Sequence, residues 1–428
     1  MGEAVERAIS PLKQDPWDGM DAAVFEELAR AHGTPFFLYD ADEINARIRA
    51  VQQAFPGMVK VFYAVKANPN LALLRAVSDV ADGLDISSGG ELEQACLAGF
   101  DTARLSFAGP AKTTAELTES IRRSIGYISI ESLRELLECI RIARQVGTRA
   151  NVAIRVNPVL LNRAFGLKMG GKAVQFGIDE EDLSEIVQTI VSHPAELAFQ
   201  GIHIYAGSQC FDAAGVVEGV ADTLRIVREI ESNTPLTCRA INLGGGFGVS
   251  HVDRNRELDL VALASELRPV LHAFIESSPV QRKIVFELGR YLTANAGIYV
   301  SRVISSKSSR GKEFFVVDGG LHHHLAAAGT FGTALRSNFI LRNLTRPGAE
   351  TVRCQVAGPS CNPTDLLGID VELPRPEHGD LIGVLKSGSY GMSASPLLFL
   401  GRQTPAELVR HNNSVILGRR PHLMTDFN

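Results

Sequence analysis

Between positions 59 and 287, short runs of β-branched and apolar residues alternate with longer segments whose apolar positions recur at three- and four-residue steps. This alternation predicts repeated strand–helix units and a parallel sheet. About eight units are present, with strands expected at 59–66, 83–87, 105–108, 127–130, 151–157, 200–205, 240–243 and 284–287. The clearest helix between them is 132–146, SLRELLECIRIARQV, with leucines and isoleucines on one face. Eight such units predict an α/β fold of the closed (β/α)8 TIM-barrel type.

After Arg290 the pattern changes to strand-like segments separated by turn residues, at 297–304, 313–317, 351–356, 380–385 and 414–417. A second, mainly β domain is expected there. The segment 35–40, PFFLYD, either pairs with that sheet or leads into the first helix. Residues 1 to about 17 carry no strong period and are expected to be poorly ordered. The expected organisation is an N-terminal extension over 1–33, a barrel over 34–290 and a β-rich domain over 291–428.

A length of 428 residues exceeds the usual size of one hydrophobic core, which agrees with two domains. The formal net charge of −5 gives no long-range attraction for nucleic acid or anionic lipid. Acidic residues such as Glu3, Glu6 and Asp15 at the start do not form a secretory signal, and no apolar run is long enough for a membrane span. A cytoplasmic protein is expected. The six cysteines are scattered without a CxxC pair, so neither a zinc site nor a disulfide framework is expected, and most should be buried thiols.

Barrels of this type carry their active sites at the C-terminal ends of the strands. Lys66, Asp85, Arg155, Tyr205 with Gly207-Ser208, the run Gly244-Gly245-Gly246, and Glu287 with Gly289-Arg290 all fall at such ends. Glycines after the seventh strand offer unobstructed N–H groups to a phosphate, and Arg290 adds a charge-assisted contact. A plain turn is the ordinary alternative for a glycine cluster. A phosphate site facing a lone lysine, its amine pKa lowered by burial, fits a phosphorylated aldehyde cofactor such as pyridoxal phosphate (PLP). For Lys66 the alternative is a solvated or ion-paired side chain. Glu287 ends the apolar strand IVFE and needs a partner, either a protonated pyridine nitrogen or a nearby cation.

Five motifs then occur in order: Phe62-Tyr63-Ala64-Val65-Lys66-Ala67-Asn68, Gly244-Gly245-Gly246-Phe247-Gly248, Glu287-Leu288-Gly289-Arg290, Gly358-Pro359-Ser360-Cys361 and Gly388-Ser389-Tyr390-Gly391. Together, over about 34–408, they resemble the fold-type III PLP decarboxylases, which include diaminopimelate and ornithine decarboxylases. The resemblance implies a barrel plus a β domain, and a homodimer with active sites at its interface. It also implies Lys66 as the Schiff-base lysine, Glu287 on the pyridine nitrogen, and Ser208, Gly244–Gly246, Gly289, Arg290 and Tyr390 around the phosphate. Asp85 and Arg155 would orient the lysine and ring, and Cys361 would reach the partner's site and protonate Cα.

Two departures bear on substrate and ring contacts. Counting back from Gly207-Ser208, Tyr205 stands where the family has a ring-stacking histidine, and His203 lies two residues earlier as a substrate candidate. After Cys361 the family has an acid for the substrate's distal ammonium, whereas this chain has Asn362-Pro363. A distal diamine substrate is thereby disfavoured. The segments Lys168-Met169-Gly170-Gly171, Asp318-Gly319-Gly320-Leu321-His322-His323 and Ser393-Ala394-Ser395-Pro396 resemble a particular subgroup. It contains the butirosin-pathway decarboxylase of glutamate tethered to an acyl-carrier protein and decarboxylases of exopolysaccharide and exosortase loci. A carrier-tethered or otherwise acylated amino acid is the expected substrate, with Lys168, Arg336 and Asn362 as candidate contacts. Free diaminopimelate is the alternative substrate, and a catalytically inactive regulatory homologue the alternative of another class. His322-His323-His324, read as extended, would point to opposite faces and not chelate a metal together, though one is a candidate to line the site.

Overall fold

The computed structural model describes residues 15–159, 165–168, 171–253, 255–329 and 337–427. Eight parallel strands close a barrel in the order Lys60–Ala64, Gly83–Ile86, Leu105–Phe107, Tyr127–Ile130, Ala150–Asn157, Leu197–His203, Ala240–Asn242 and Lys283–Leu288, the last pairing back to the first. Strand positions follow the apolar runs because each strand is covered by helices outside and side chains inside, so both of its faces are dry. Val61, Leu84, Ile154, Ile202 and Ile241 are completely buried.

Strand ends differ from the pattern at two candidate site positions. Lys66 lies in a 3-10 turn, Val65–Ala67, and not on the strand, which stops at Ala64. The reason is local: Asn70 caps the helix Leu71–Val77 by accepting from the Ala72 and Leu73 N–H groups, so the chain must turn before it. Tyr205 likewise lies past the end of Leu197–His203. The helix at Leu133–Val146 matches its periodicity, with Ser132 accepting from the Glu135 N–H at 3.2 Å and Gly147 left-handed at φ 74° after it.

The second sheet runs Leu366–Pro374, Thr351–Ala357, Lys312–Val317, Gly297–Ser309, Phe36–Asp40, Ala406–His411, Ser414–Arg419, and Leu381–Val384 pairs with both Gly297–Ser309 and Leu341–Asn343. Phe36–Asp40 sits inside it, antiparallel to Gly297–Ser309 and parallel to Ala406–His411. It also leads directly into the helix Ala41–Ala54, capped by Asp40, so both sequence alternatives for 35–40 hold at once. Trp17 is buried against Phe25, Leu28, Phe36, Ile298 and Leu381, which corrects the expectation of poor order at that residue, while positions 1–14 lie outside the described residues. Among the described residues no helix is long and apolar enough to cross a membrane. All six cysteines are free, four of them buried and Cys361 exposed.

Candidate active site

A cavity of about 440 Å³ opens at the C-terminal ends of the barrel strands. Lys66, Arg155, Tyr205, Ser208, Gly246, Glu287, Gly289, Arg290 and Tyr390 all line it, so residues more than 300 positions apart in the chain meet here. The Lys66 Nζ is 2.9 Å from Asp85 Oδ2 and 4.0 Å from Glu287 Oε1, and its side chain is 37% exposed through the cavity mouth. Asp85 is buried beneath it and also accepts from Ser106 Oγ at 3.1 Å. Burial pushes the Lys66 amine down, but Asp85 and then Glu287 outweigh it and hold the ammonium well above the usual lysine range. The expectation of an amine pKa lowered by burial is corrected accordingly: two carboxylates within 4.0 Å keep it charged.

Glu287 is buried, with Oε2 accepting from Asn242 Nδ2 at 3.0 Å and lying 3.2 Å from His203 Nε2. Burial alone would push its carboxyl up, yet His203, followed by Lys66 and Arg155, holds it below the usual carboxylate range. His203 is completely buried, its Nδ1 3.0 Å from Ser129 Oγ, and it does not line the cavity. Its expected place against the substrate is therefore corrected: it faces the interior side of Glu287. Asn242 and Ser129 complete this polar group and are not among the candidates that motif and strand-end position pick out. Their signal is a polar residue at an inward strand position, since Asn242 pairs in register with His203 and Ser129 lies on the strand next to that of Arg155, which in turn pairs with His203.

At the opposite end, the glycine run is packed against neighbouring backbone. Gly246 has φ +85°, and a Cβ there would run into the Gly207 carbonyl oxygen, so only glycine brings this loop beside Ser208. Gly244 and Gly245 pack behind it and do not line the cavity. The Arg290 guanidinium lies 4.8 Å from the Tyr390 ring centre, and its Nη1 is 2.7 Å from His251 Nε2. His251 stacks on Phe339 at 4.3 Å, and burial together with Arg290 keeps it neutral. Arg155 pairs with Glu131 at 2.8 Å and lies over the Phe176 ring at 5.0 Å.

Other candidate residues lie elsewhere. Cys361 is exposed and outside this chain's cavity. Asn362 Oδ1 accepts from the Thr364 N–H at 3.0 Å and the Thr364 hydroxyl at 2.9 Å, which fixes a local turn. The backbone of Lys168 pairs with Gly207 on a two-stranded ribbon, next to Ser208. Arg336 lies outside the described residues.

His322, His323 and His324 form a turn, not the extended segment expected, and none lines the cavity. His324 packs among Phe37, Tyr299 and Phe339, and burial pushes its imidazole down to about 3. Below pH 6.5 the unfolded chain takes up a proton here that the folded chain refuses, so stability falls as pH drops from there toward 3. Wild type should therefore lose about 2 kcal/mol more than His324→Phe between pH 7 and pH 5, read by urea denaturation. Glu43 and Glu91, both pushed up to about 7 by burial, act with the opposite sign in this window, which makes the difference between the two proteins the quantity to measure.

Residues 41–294 match the family described as pyridoxal-dependent decarboxylase, pyridoxal binding domain. The L-glutamyl-[BtrI acyl-carrier protein] decarboxylase of Niallia circulans is 36% identical over 409 residues, covering 94% of each chain. The diaminopimelate decarboxylase of Aquifex aeolicus (strain VF5) is 30% identical, covering 94% of this chain and 92% of the relative. The crystal structure of diaminopimelate decarboxylase from Helicobacter pylori complexed with L-lysine superposes with a TM-score of 0.84 at 28% identity, covering 94% of this chain and 98% of that one. With a barrel ending in a lysine flanked by two carboxylates, a family match over most of that barrel, and relatives aligned nearly end to end, the chain belongs to the pyridoxal-dependent decarboxylases.

Proposed function

We propose that this decarboxylase acts on a carrier-tethered or otherwise acylated amino acid, such as a glutamyl-carrier protein, and not on a free amino acid with a distal ammonium. The observation that carries the reading is the cavity's charge: among the described lining residues Glu287 is the one carboxylate, and it is already engaged by Asn242, His203 and Lys66. A distal ammonium entering this space would lose its hydration without meeting an anion, at a cost of several kcal/mol. Asn362, where the resembled families carry an acid, is neutral and committed to its own turn. The 36% identity to a relative named for a carrier-bound glutamyl substrate supports the same class. Lys168, beside the cavity through its pairing with Gly207, and Arg336 are proposed contacts for the carrier's acidic arm.

The donor set fits pyridoxal phosphate: a reachable amine, a buried carboxylate with one oxygen toward that amine, and at the far end an arginine, a hydroxyl and a glycine turn. Lys66 is its covalent anchor and Glu287 the partner of its ring nitrogen, while Gly246, Ser208, Arg290 and Tyr390 hold the phosphate and Tyr205 offers an aromatic face. When bound, the cofactor supplies an electron sink for the pair released as the C–CO2 bond breaks. Asp85 keeps Lys66 oriented, and Arg155, held by Glu131, flanks the same space. Cys361, exposed on its own chain, is proposed to enter the cavity of a second copy and return the proton from Sγ to Cα, which makes the active unit a homodimer with shared sites. Its compartment in this reading is the cytoplasm, in keeping with six free thiols.

The substrate assignment is tested by measuring carbon dioxide release from diaminopimelate, ornithine, lysine, free glutamate and glutamate loaded on an acyl-carrier protein. Turnover of the carrier-bound substrate well above the rest is expected. Rapid release from diaminopimelate would overturn the assignment.

A further inference from the structure

Beneath the cavity floor, four barrel strands place polar side chains inward where apolar ones would be the ordinary filling. His203 and Asn242 sit side by side in register, Glu287 lies on the next strand, and Ser129 lies beyond on the other side. His203 and Asn242 are completely buried, and Tyr127 also contacts the Asn242 amide at 3.1 Å. His203, a substrate candidate by its position in the sequence, is buried out of direct reach of substrate.

We propose that His203 is a positioning residue: wedged between Ser129 and Glu287, its imidazole ties down one oxygen of Glu287 and leaves the other turned toward the cavity. Glu287 Oε2 takes the Asn242 amide and the His203 contact, whereas Oε1 is the oxygen on the Lys66 side. His203 Nε2 makes no hydrogen bond among the described residues, and the charged oxygen that approaches it is Glu287 Oε2 at 3.2 Å, the one interaction open to it. Ser129 holds the ring, its Oγ 3.0 Å from Nδ1; in the tautomer where the hydroxyl donates to Nδ1, the imidazole proton stands on Nε2, the nitrogen nearer the carboxylate.

The role matters because Lys66 is a poor permanent partner for Glu287. It is 4.0 Å away, closer to Asp85, and is the group committed to covalent chemistry in the function proposed above, on which this inference rests. Once Lys66 is engaged, Asn242 and His203 are the donors that remain on Glu287. A buried carboxylate without enough donors takes up a proton, and the shared proton then belongs to the acid and not to the ring nitrogen it faces.

The test compares wild type, His203→Gln, His203→Asn and His203→Leu, each reconstituted with pyridoxal phosphate labelled with 15N in the ring. The readouts are the ring-nitrogen NMR shift and the separate kcat and KM values. Glutamine carries an amide N–H to about the position of Nε2, so it should keep the wild-type protonated shift and kcat within about threefold. Asparagine is too short and leucine has no donor; both should move the shift toward the unprotonated position and lower kcat about 10- to 100-fold with KM changed little. If His203→Leu fails to fold, the glutamine–asparagine contrast decides. A protonated shift that survives in His203→Asn and His203→Leu overturns the role of His203 alone. An unprotonated shift already in wild type overturns the reading of Glu287 with it.

Discussion

Lys66→Ala should lower kcat by at least about 10³-fold, equivalent to ~4 kcal/mol of transition-state stabilisation. The substitution removes the amine proposed to anchor the cofactor, and it also leaves Asp85 and Glu287 without the cation between them. Asp85 is already pushed up by burial and by Glu287, so without the ammonium it should take up a proton instead of remaining a bare buried anion. Some stability should be lost as well, less than the roughly 3–5 kcal/mol of a fully buried broken pair, because the Lys66 side chain is 37% exposed. Lys66→Arg separates the two effects. A guanidinium can pair with both carboxylates but stays protonated and cannot form the covalent link. It should restore the melting temperature and not the activity. Single-turnover carbon dioxide release and thermal melts of the three proteins give both readings.

Cys361→Ala should also be nearly inactive as a homogeneous protein, losing about 10²- to 10⁴-fold as expected for a proton donor. Mixing it with Lys66→Ala under conditions of subunit exchange should restore activity to about a quarter of the wild-type sites, since half the dimers are hybrids and each hybrid has one intact site. Local geometry supports a donor aimed outward. Asp365 accepts from the Leu321 and Ser360 N–H groups at 2.6 and 2.9 Å, and Arg402 donates to the Pro359 carbonyl at 2.9 Å, so the loop carrying Cys361 is held firmly on the surface. The exposed Leu398, Phe399 and Leu400 precede Arg402 and form apolar surface near that loop, suited to burial by a second copy. No recovery in the mixture would place the proton donor within a single chain.

The barrel was legible because its strands are buried on both faces, and the apolar runs recorded this without help from distant residues. Ala150–Asn157 and Tyr127–Ile130 fall within a residue of their sequence positions. In the second sheet, Leu366–Pro374 and Ala406–His411 escaped notice. The first is broken by Asp370 at φ 50°, and its alternation is blurred by register shifts against Thr351–Ala357. The second owes its place to parallel pairing with Phe36–Asp40, over 360 positions earlier, which no local pattern encodes. In the site, the chemically able residues at strand ends were visible as types. Their depth was not. His203 reads as a substrate contact until burial shows it behind Glu287, and Asn242 becomes meaningful only through its register with His203 and Ser129 through its 3.0 Å contact with that ring.

Borohydride reduction of the protein reconstituted with pyridoxal phosphate, followed by peptide mass mapping, tests the placement of Lys66 most directly. One cofactor per chain should be fixed, on the peptide containing Lys66, and Lys66→Arg should carry none. Reduction that fixes cofactor on another lysine, such as Lys112 or Lys386, or on no lysine at all, would contradict the account.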